Sequence, residues 1–225
     1  MSLVFVFAVV HIGRQAFVIE RFFYRILLRI VFKGIIMPDK ASVFIDGGYF
    51  AKVREHLGIY NVNFAGFSDL LCGTMERHFT FYYDAPPFQS NPPTPTERQR
   101  KAGFDRFVYS LRSNPRFQVR LGKLSRFIQN CNSCGHSSTI YKQKRVDNLL
   151  TVDLTRAIWK DHISKAILVT GDSDFVPAVD EANRAQILTH VYFLRSPHTT
   201  IHDELYMACS ERTEITRDLL EQARL

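Results

Sequence analysis

Acidic residues follow two short apolar runs in this chain of 225 residues. Asp46 comes directly after residues 42–45 (SVFI), and Asp172 and Asp174 follow residues 166–170 (AILVT). Short apolar runs of this kind are typical of buried strands in a parallel sheet. Because the carboxyl ends of parallel strands lie at one edge of a sheet, we expect the three acids to lie close together.

A fourth acid, Asp147, stands where a loop enters a predicted helix, close to a helix N-terminus that favours negative charge. Carboxylates that converge repel one another unless a cation neutralises them. Oxygen ligands alone favour a hard divalent ion such as Mg²⁺ or Mn²⁺. The sequence therefore predicts a metal site with four carboxylate ligands, Asp46, Asp147, Asp172 and Asp174.

Simpler interpretations exist for each of these acids. An Asp before Gly47-Gly48 is common turn chemistry, and GDSD at 171–174 could cap a helix. Thr170 and Ser173 could bind a ligand water or a substrate phosphate, or satisfy loop backbone. Asp153 lies six residues beyond Asp147, well around the helix, so we expect it to support the site indirectly or to pack.

Alternating strand and helix patterns run from residue 42 to the C-terminus, which predicts an α/β fold: an open parallel sheet with helices on both faces. The predicted strands are 42–45, 79–83, 117–121, 166–170 and 187–193, with a short extended piece at 139–143. The predicted helices are 48–57, 64–77, 96–112, 147–160, 174–185, 203–209 and 217–224. A proline-rich loop is expected at 84–96 and a cysteine-containing loop at 122–140.

Residues 1–36 form an apolar, basic extension before this pattern, and the domain is expected to occupy 37–225. Basic residues recur every few positions from Arg14 to Lys33, which disfavours a membrane-spanning helix, and the order of charge is the reverse of a secretory signal. Met37 opens a segment typical of a protein start, so we interpret 1–36 as an over-extended start. The alternative is a basic amphipathic helix on a membrane surface or a partner.

The formal net charge of +7 is unevenly distributed. Residues 106–146 hold nine basic residues and no acidic one, whereas 147–225 hold eight basic against thirteen acidic. A basic stretch beside a carboxylate site would attract a polyanion that the acids alone would repel. The predicted nucleic-acid contacts are Lys123, Lys142, Lys144 and Arg145, with Phe127 and Tyr141 available for base stacking. A solvated helix face and loop explains Arg106 and Arg112 equally well.

Cys131 and Cys134, followed by His136, have the spacing of half a zinc site. A structural Zn²⁺ completed by one further ligand is one hypothesis; a redox pair and a polar loop with two thiols are the others. Four cysteines without a secretion signal predict a reducing cytoplasm.

Three segments of the sequence resemble the motifs of NYN domains, in the LabA-like branch of the PIN-like nuclease superfamily. These are FIDGGYF at 44–50, QKRVDNLLTVDL at 143–154 and ILVTGDSDFVPAV at 167–179. The resemblance covers 42 to about 215 and implies a PIN-like, Rossmann-like three-layer fold with metal-dependent ribonuclease chemistry at Asp46, Asp147, Asp172 and Asp174. The chain departs from the family at Gly48, where Asn is frequent, and at Asn148, where an aliphatic residue is common.

The predicted function is a Mg²⁺- or Mn²⁺-dependent endoribonuclease acting on RNA, most simply on single strands. The alternative is a non-catalytic RNA-binding or regulatory module that keeps the fold. A haloacid dehalogenase type of phosphatase ranks third, because that family needs an Asp where Gly48 stands. Oligomeric state, including a homo-oligomer, is left open by the sequence.

Overall fold

Strands and helices alternate along the chain between residues 40 and 222. The computed structural model describes residues 39–130, 133–161, 163–197 and 199–224, so the extension predicted at 1–36 lies outside the described residues. The strands are Lys40–Asp46 (β1), Glu76–Asp84 (β2), Phe117–Leu121 (β3), Lys123–Asn130 (β4), Ser137–Lys144 (β5), Lys165–Val169 (β6), Leu188–Phe193 (β7) and Glu211–Glu214 (β8). The helices are Gly47–Leu57 (α1), Phe64–Cys72 (α2), Pro95–Arg112 (α3), Val146–Trp159 (α4), Val176–Arg184 (α5), Asp203–Ala208 (α6) and Arg217–Gln222 (α7).

Six of the strands form one sheet in the order β3-β2-β1-β6-β7-β8, and every neighbouring pair is parallel. Alternate side chains of the central strands enter opposite layers of the core. Val43 packs in a cluster with helices α1, α2, α3 and α7, whereas Phe44 packs in a second cluster with α4, α5 and α6. The predicted α/β class, an open parallel sheet covered on both faces, is confirmed.

The order of the strands places a reversal of winding between β1 and β6. From β1 the chain winds outward through β2 to β3, and it then returns to β6 and winds through β7 to β8 on the other side. The carboxyl ends of β1 and β6 therefore diverge into helices on opposite faces. In open α/β sheets a crevice forms at such a reversal, and ligands bind there.

Two elements differ from the sequence prediction because their residues carry no apolar signal. β8 adds a sixth strand to the five predicted, and its sequence, ERTE, is charged because it forms a sheet edge. The loop predicted at 122–140, with an extended piece at 139–143, is instead an antiparallel hairpin of β4 and β5 outside the main sheet. Most of its described side chains are exposed, so no alternation of apolar residues marks it.

Helix boundaries also shift where local caps override periodicity. α2 ends at Cys72, five residues before the predicted Arg77, because Gly73 follows with a positive φ of 61°. α3 begins at Pro95 with Thr94 as its cap, rather than at Thr96, and Thr94 and Glu97 form a reciprocal capping box. Within the described part of the chain, no helix is both long and apolar enough to cross a membrane.

Candidate metal and nucleic-acid site

Asp46 ends β1 and caps the helix that follows. Its Oδ1 accepts a hydrogen bond of 3.1 Å from the backbone N–H of Tyr49, which satisfies one free donor of the first turn of α1. The hydroxyl of Thr170, a fully buried residue directly after β6, donates to Asp46 Oδ2 over 3.4 Å. The two strand ends that border the crevice are thus joined through Asp46.

Asp172 lies on the other side of this connection. Its backbone N–H donates to Thr170 Oγ1 over 3.3 Å, and its Oδ1 accepts the N–H of Asp174 over 3.0 Å. Asp172 therefore caps the 3-10 turn Ser173–Phe175, which precedes α5. The capping role considered for this loop is present, and it orients Asp172 without removing it from the crevice.

Asp147 reaches the same crevice from α4. The helix starts after Arg145, which adopts a left-handed conformation with a φ of 74°, and Val146 anchors the first turn by its burial. Asp147 occupies that first turn and is half-buried. No side chain caps this helix end, so its free N–H groups favour a carboxylate nearby.

The pKa values indicate that these carboxylates share one electrostatic field. Burial raises the pKa of Asp46 from 3.8 to about 6, opposed by its hydrogen bond from the Tyr49 N–H and reinforced by the charge of Asp147. Burial also raises the pKa of Asp147, and the charges of Asp172 and Asp174 raise it further. The neighbouring negative charges thus oppose ionisation of Asp46 and Asp147, and a bound cation would relieve that repulsion.

A cleft of about 440 Å³ brings the acids together. It is lined by Asp46, Gly48, Tyr49, Lys52, Asp147, Gly171, Asp172, Thr199, Thr200 and His202. Three of the four predicted acids line it. Asp174 and Ser173 are not among the lining residues, and Asp174 is exposed. Asp174 therefore acts on the cleft through its charge.

Two lining residues of this cleft, Lys52 and His202, were not predicted from the sequence. Lys52 stands one turn after Tyr49 on α1, and His202 is the residue directly before α6, with no capping hydrogen bond from its side chain. The His202 backbone N–H donates to the Gly171 carbonyl over 2.9 Å, which brings the segment after β7 against the loop after β6. Isolated residues of this kind carry no motif. The one available signal was their position after a strand that ends at the same sheet edge.

Tyr49 and Gly171 shape the floor of the cleft. The hydroxyl of Tyr49 accepts the backbone N–H of Leu194 over 2.9 Å, tying α1 to the chain just beyond β7. Burial raises the pKa of Tyr49 to about 12, so the hydroxyl stays protonated at neutral pH. A Cβ at Gly171 would lie against the Thr200 carbonyl oxygen and 2.6 Å from Tyr49 Cε2. Glycine is required there by this close approach.

The carboxylate oxygens of the cleft are the type of ligand that a hard divalent cation prefers, although their positions do not form a complete metal site. Among the described residues, no group of three or more His, Cys, Asp or Glu side chains is arranged so that it could hold a metal ion by itself. Asp46, Asp147 and Asp172 nevertheless line one cleft, and the first two have raised pKa values. Mg²⁺ keeps several waters and commonly uses one or two carboxylates with substrate phosphates, so the residues present fit such an ion.

Asp153 is directed away from the cleft. It is buried, and both of its carboxylate oxygens accept hydrogen bonds of 2.8 Å from Arg120 on β3. The hydroxyl of Tyr83 on β2 donates to Asp153 Oδ2 over 3.3 Å. Asp153 thus joins α4 to two strands and supports the helix that carries Asp147.

The basic stretch divides into paired and exposed residues. Arg116 pairs with Glu76 and Arg120 with Asp153, so these two arginines serve the fold. Lys123, Arg126 and Arg145 are exposed and take part in no ion pair among the described residues. Positions 142 and 144 of β5 oppose Ser125 and Lys123 across the hairpin, which leads directly to Asp147; the side chains of Lys142 and Lys144 lie outside what the structure describes.

The zinc prediction stays a prediction, because Cys131 lies outside the described residues. Cys134 and His136 are exposed near the turn of the hairpin. Cys72 and Cys209 are buried in the two opposite core clusters, where burial raises their pKa values to about 11 and 12. As placed, neither buried thiol is available as a ligand at the hairpin.

Comparison with known proteins agrees with this architecture. The crystal structure of a protein of unknown function from Vibrio parahaemolyticus RIMD 2210633 superimposes with a TM-score of 0.53; the match has 22% sequence identity and covers 85% of this chain and 99% of that one. At that identity the likeness shows the fold alone. No curated protein matches the chain. The model of the NYN domain matches residues 40–216, most of the chain, and this protein therefore belongs to the NYN domain family, whose members are nuclease-like domains related to RNA.

Proposed function

We propose that this protein is an endoribonuclease that hydrolyses RNA phosphodiester bonds with Mg²⁺ or Mn²⁺. The observation that supports it best is the convergence of Asp46, Asp147 and Asp172 in one cleft at the reversal of strand order, with the pKa of two of them raised. Asp174 adds negative charge from just outside. We include it in the acidic set on electrostatic grounds.

Different residues of the cleft would have different roles in such a reaction. A bound divalent cation would supply an activated water and neutralise charge on the phosphate. Thr170 holds the carboxylate of Asp46, and Asp172 is oriented by the turn that it caps. Lys52 also lines the cleft and is suited to contact a phosphate oxygen.

The imidazole of His202 is a further functional group in the cleft that was not predicted from the sequence. His202 lines the cleft, and its imidazole is suited in type to serve as the general acid that protonates the leaving oxygen. Exposed basic residues at the base of the hairpin, Lys123 and Arg145, would draw RNA toward the acids. A single strand suits the open cleft, because its backbone can bend into it.

The experiment is a cleavage assay of the full chain on a panel of single-stranded and duplex RNA and DNA. Each substrate is incubated with Mg²⁺, Mn²⁺, Ca²⁺ or EDTA. We expect cleavage of single-stranded RNA in Mg²⁺ or Mn²⁺ and none in EDTA. Absence of cleavage with every cation would contradict the proposal.

A second candidate is a non-catalytic RNA-binding module. Two observations favour it: no three-ligand metal group is formed among the described residues, and Gly48 stands where the resembling family often has Asn. Salt-dependent RNA binding without cleavage by any metal would select this candidate. Its binding would fall steeply as salt rises, because basic residues release counterions from the RNA.

A further inference from the structure

An aromatic pair joins the proline-rich loop to the hairpin. The ring of Phe88, four residues past the end of β2, lies 5.3 Å from the ring of Tyr141 on β5, and the two planes are tilted by 51°. Tyr141 keeps 49% of its surface exposed despite this contact, and Phe88 is half-buried. The pair thus presents aromatic surface to solvent between two segments that belong to different parts of the sequence.

An exposed arginine stands beside this pair. Arg126 is directly opposite Tyr141 in the β4–β5 register, so their side chains share one face of the hairpin. Phe127 opposes Ile140 and therefore lies on the other face. Tyr141, one of the two aromatic residues expected to stack on bases, thus has the Phe88 ring and the Arg126 side chain as neighbours.

Both segments that carry the rings are connected by a few residues to the part of the fold that holds the acids. Tyr83 pairs with Asp46 across the sheet, and Phe88 follows five residues later. Tyr141 precedes Asp147 by six residues, which span about 20 Å at most when extended. The pair lies within reach of a nucleotide chain whose phosphate is in the cleft.

We propose that Phe88 and Tyr141, flanked by Arg126, form a nucleobase-stacking platform for single-stranded RNA. This proposal rests on the proposed function for its substrate class, and it assigns to the aromatic pair a base within a few nucleotides of the bound phosphate. Aromatic rings stack on any base, and the arginine meets the backbone or the free ring face. The platform holds unpaired bases and rejects a duplex, whose bases are already stacked on one another.

The test measures binding and stacking with the full chain in EDTA, so that cleavage plays no part. A short single-stranded RNA carries 2-aminopurine, whose fluorescence is quenched when the base stacks. We compare the wild type with Tyr141→Leu and Phe88→Leu, which keep apolar bulk but remove the ring. Tyr141→Phe keeps the ring, and Tyr109→Leu removes a 76% exposed tyrosine on α3 as the matched control.

We expect Tyr141→Leu and Phe88→Leu each to weaken RNA binding about 5-fold or more and to reduce the quenching of 2-aminopurine fluorescence. Tyr141→Phe and Tyr109→Leu should behave as the wild type does. Unchanged affinity and quenching in both Tyr141→Leu and Phe88→Leu would overturn the platform, as would equal affinity for the same sequence as a duplex. Because Phe88 lies outside the hairpin, its variant reports on stacking even where the Tyr141 variant perturbs β5.

The two proposals fail separately. A protein that binds and quenches but never cleaves with any cation keeps the platform and loses the nuclease. A protein that cleaves RNA normally, with both leucine variants unchanged in binding and quenching, keeps the nuclease and loses the platform.

Discussion

Arg120 donates two hydrogen bonds of 2.8 Å each to Asp153, one to each carboxylate oxygen. The Asp153 side chain is 6% exposed, whereas that of Arg120 is 34% exposed, so the acid is the partner that depends on the pair. The contact fixes α4 against β3 some six residues after Asp147. An ion pair in the fold therefore sets the position of a residue in the cleft.

Removing Arg120 should destabilise the protein more than neutralising Asp153. Arg120→Ala leaves a buried carboxylate with the Tyr83 hydroxyl as its remaining partner, and we expect a loss of about 3 kcal/mol in the free energy of unfolding. Asp153→Asn should cost less, because an amide keeps the shape and leaves no buried charge. Arg116→Ala is the control: its pair with Glu76 lies at the surface, and we expect a clearly smaller loss than for Arg120→Ala. Urea unfolding at pH 7 measures all three, and equal losses for Arg120→Ala and Arg116→Ala would refute the distinction.

Asp46 should reduce stability at neutral pH in the absence of metal. Its pKa of about 6 in the folded protein lies above the usual 3.8, so the fold favours the protonated form. Stability from this group is complete below pH 3.8 and is lost as pH rises through 6. Asp46→Asn stays neutral and can still cap α1. We therefore expect the variant to be more stable than the wild type at pH 7.5 in EDTA, with the difference closing near pH 4.

The matched control for that prediction is Asp105→Asn, which alters an exposed pair with Lys101 on α3. Its stability should stay within a few tenths of a kcal/mol of the wild type at either pH. Thermal unfolding across pH 4 to 7.5 provides the measurement. An Asp46→Asn variant that is less stable than the wild type at pH 7.5 would show that burial does not penalise the carboxylate.

Gly171 should not tolerate a side chain, whereas Gly103 should. Alanine at 171 forces the loop after β6 away from Thr200 or displaces the Tyr49 ring, at a cost of about 1 to 3 kcal/mol. At Gly103, within α3, a Cβ meets nothing within 4 Å, and alanine should stabilise the helix by up to about 1 kcal/mol. Opposite shifts in melting temperature are expected. A Gly171→Ala protein as stable as the wild type would mean that the cleft floor is loosely packed.

His190 should make the protein sensitive to mild acid. Burial and the charge of Lys165 lower its pKa to about 4, although Glu211 opposes them. Its Nε2 is within 2.8 Å of Thr213 Oγ1, and its Nδ1 lies 3.1 Å from Glu211 Oε2 without hydrogen-bond geometry. The neutral ring is favoured in the fold, so its contribution is complete above pH 6.5 and is lost as pH falls toward 4.

The variant His190→Gln isolates that contribution, because glutamine does not titrate and the protein's carboxylates are otherwise unchanged. We expect the stability of the wild type to fall relative to the variant between pH 7 and pH 4.5, as followed by urea unfolding. A gap between the two proteins that is independent of pH would contradict a neutral buried His190.

Asp46 and Asp172 could be located from the sequence because each follows an apolar strand whose burial is evident in its composition. The alternation of strands and helices predicted the parallel sheet and both covering layers, whereas the order of the strands came from the structure. Lys52 and His202 could not be located in this way, since a single basic residue on a helix or loop is indistinguishable from any solvated one. Their relation to the acids is created by the tertiary fold.

The β4–β5 hairpin and β8 are whole elements that could not be predicted from the sequence. β8 is charged at a sheet edge, and most described positions of β4 and β5 face water, so neither presents the apolar alternation by which strands are recognised. The contact between Phe88 and Tyr141 joins residues more than fifty positions apart. Composition indicated an extended proline-rich loop but could not indicate which surface its phenylalanine meets.

The most direct test of metal-dependent nuclease activity compares RNA cleavage by the variant Asp172→Asn with that by the control variant Asp105→Asn. RNA binding is measured on the same samples. Asp172 lines the cleft, whereas Asp105 forms an exposed pair on α3. We predict that Asp172→Asn loses Mn²⁺- or Mg²⁺-dependent cleavage of single-stranded RNA while it still folds and binds RNA, and that Asp105→Asn cleaves as the wild type does. Cleavage by Asp172→Asn at the wild-type rate would contradict metal-dependent hydrolysis at this cleft.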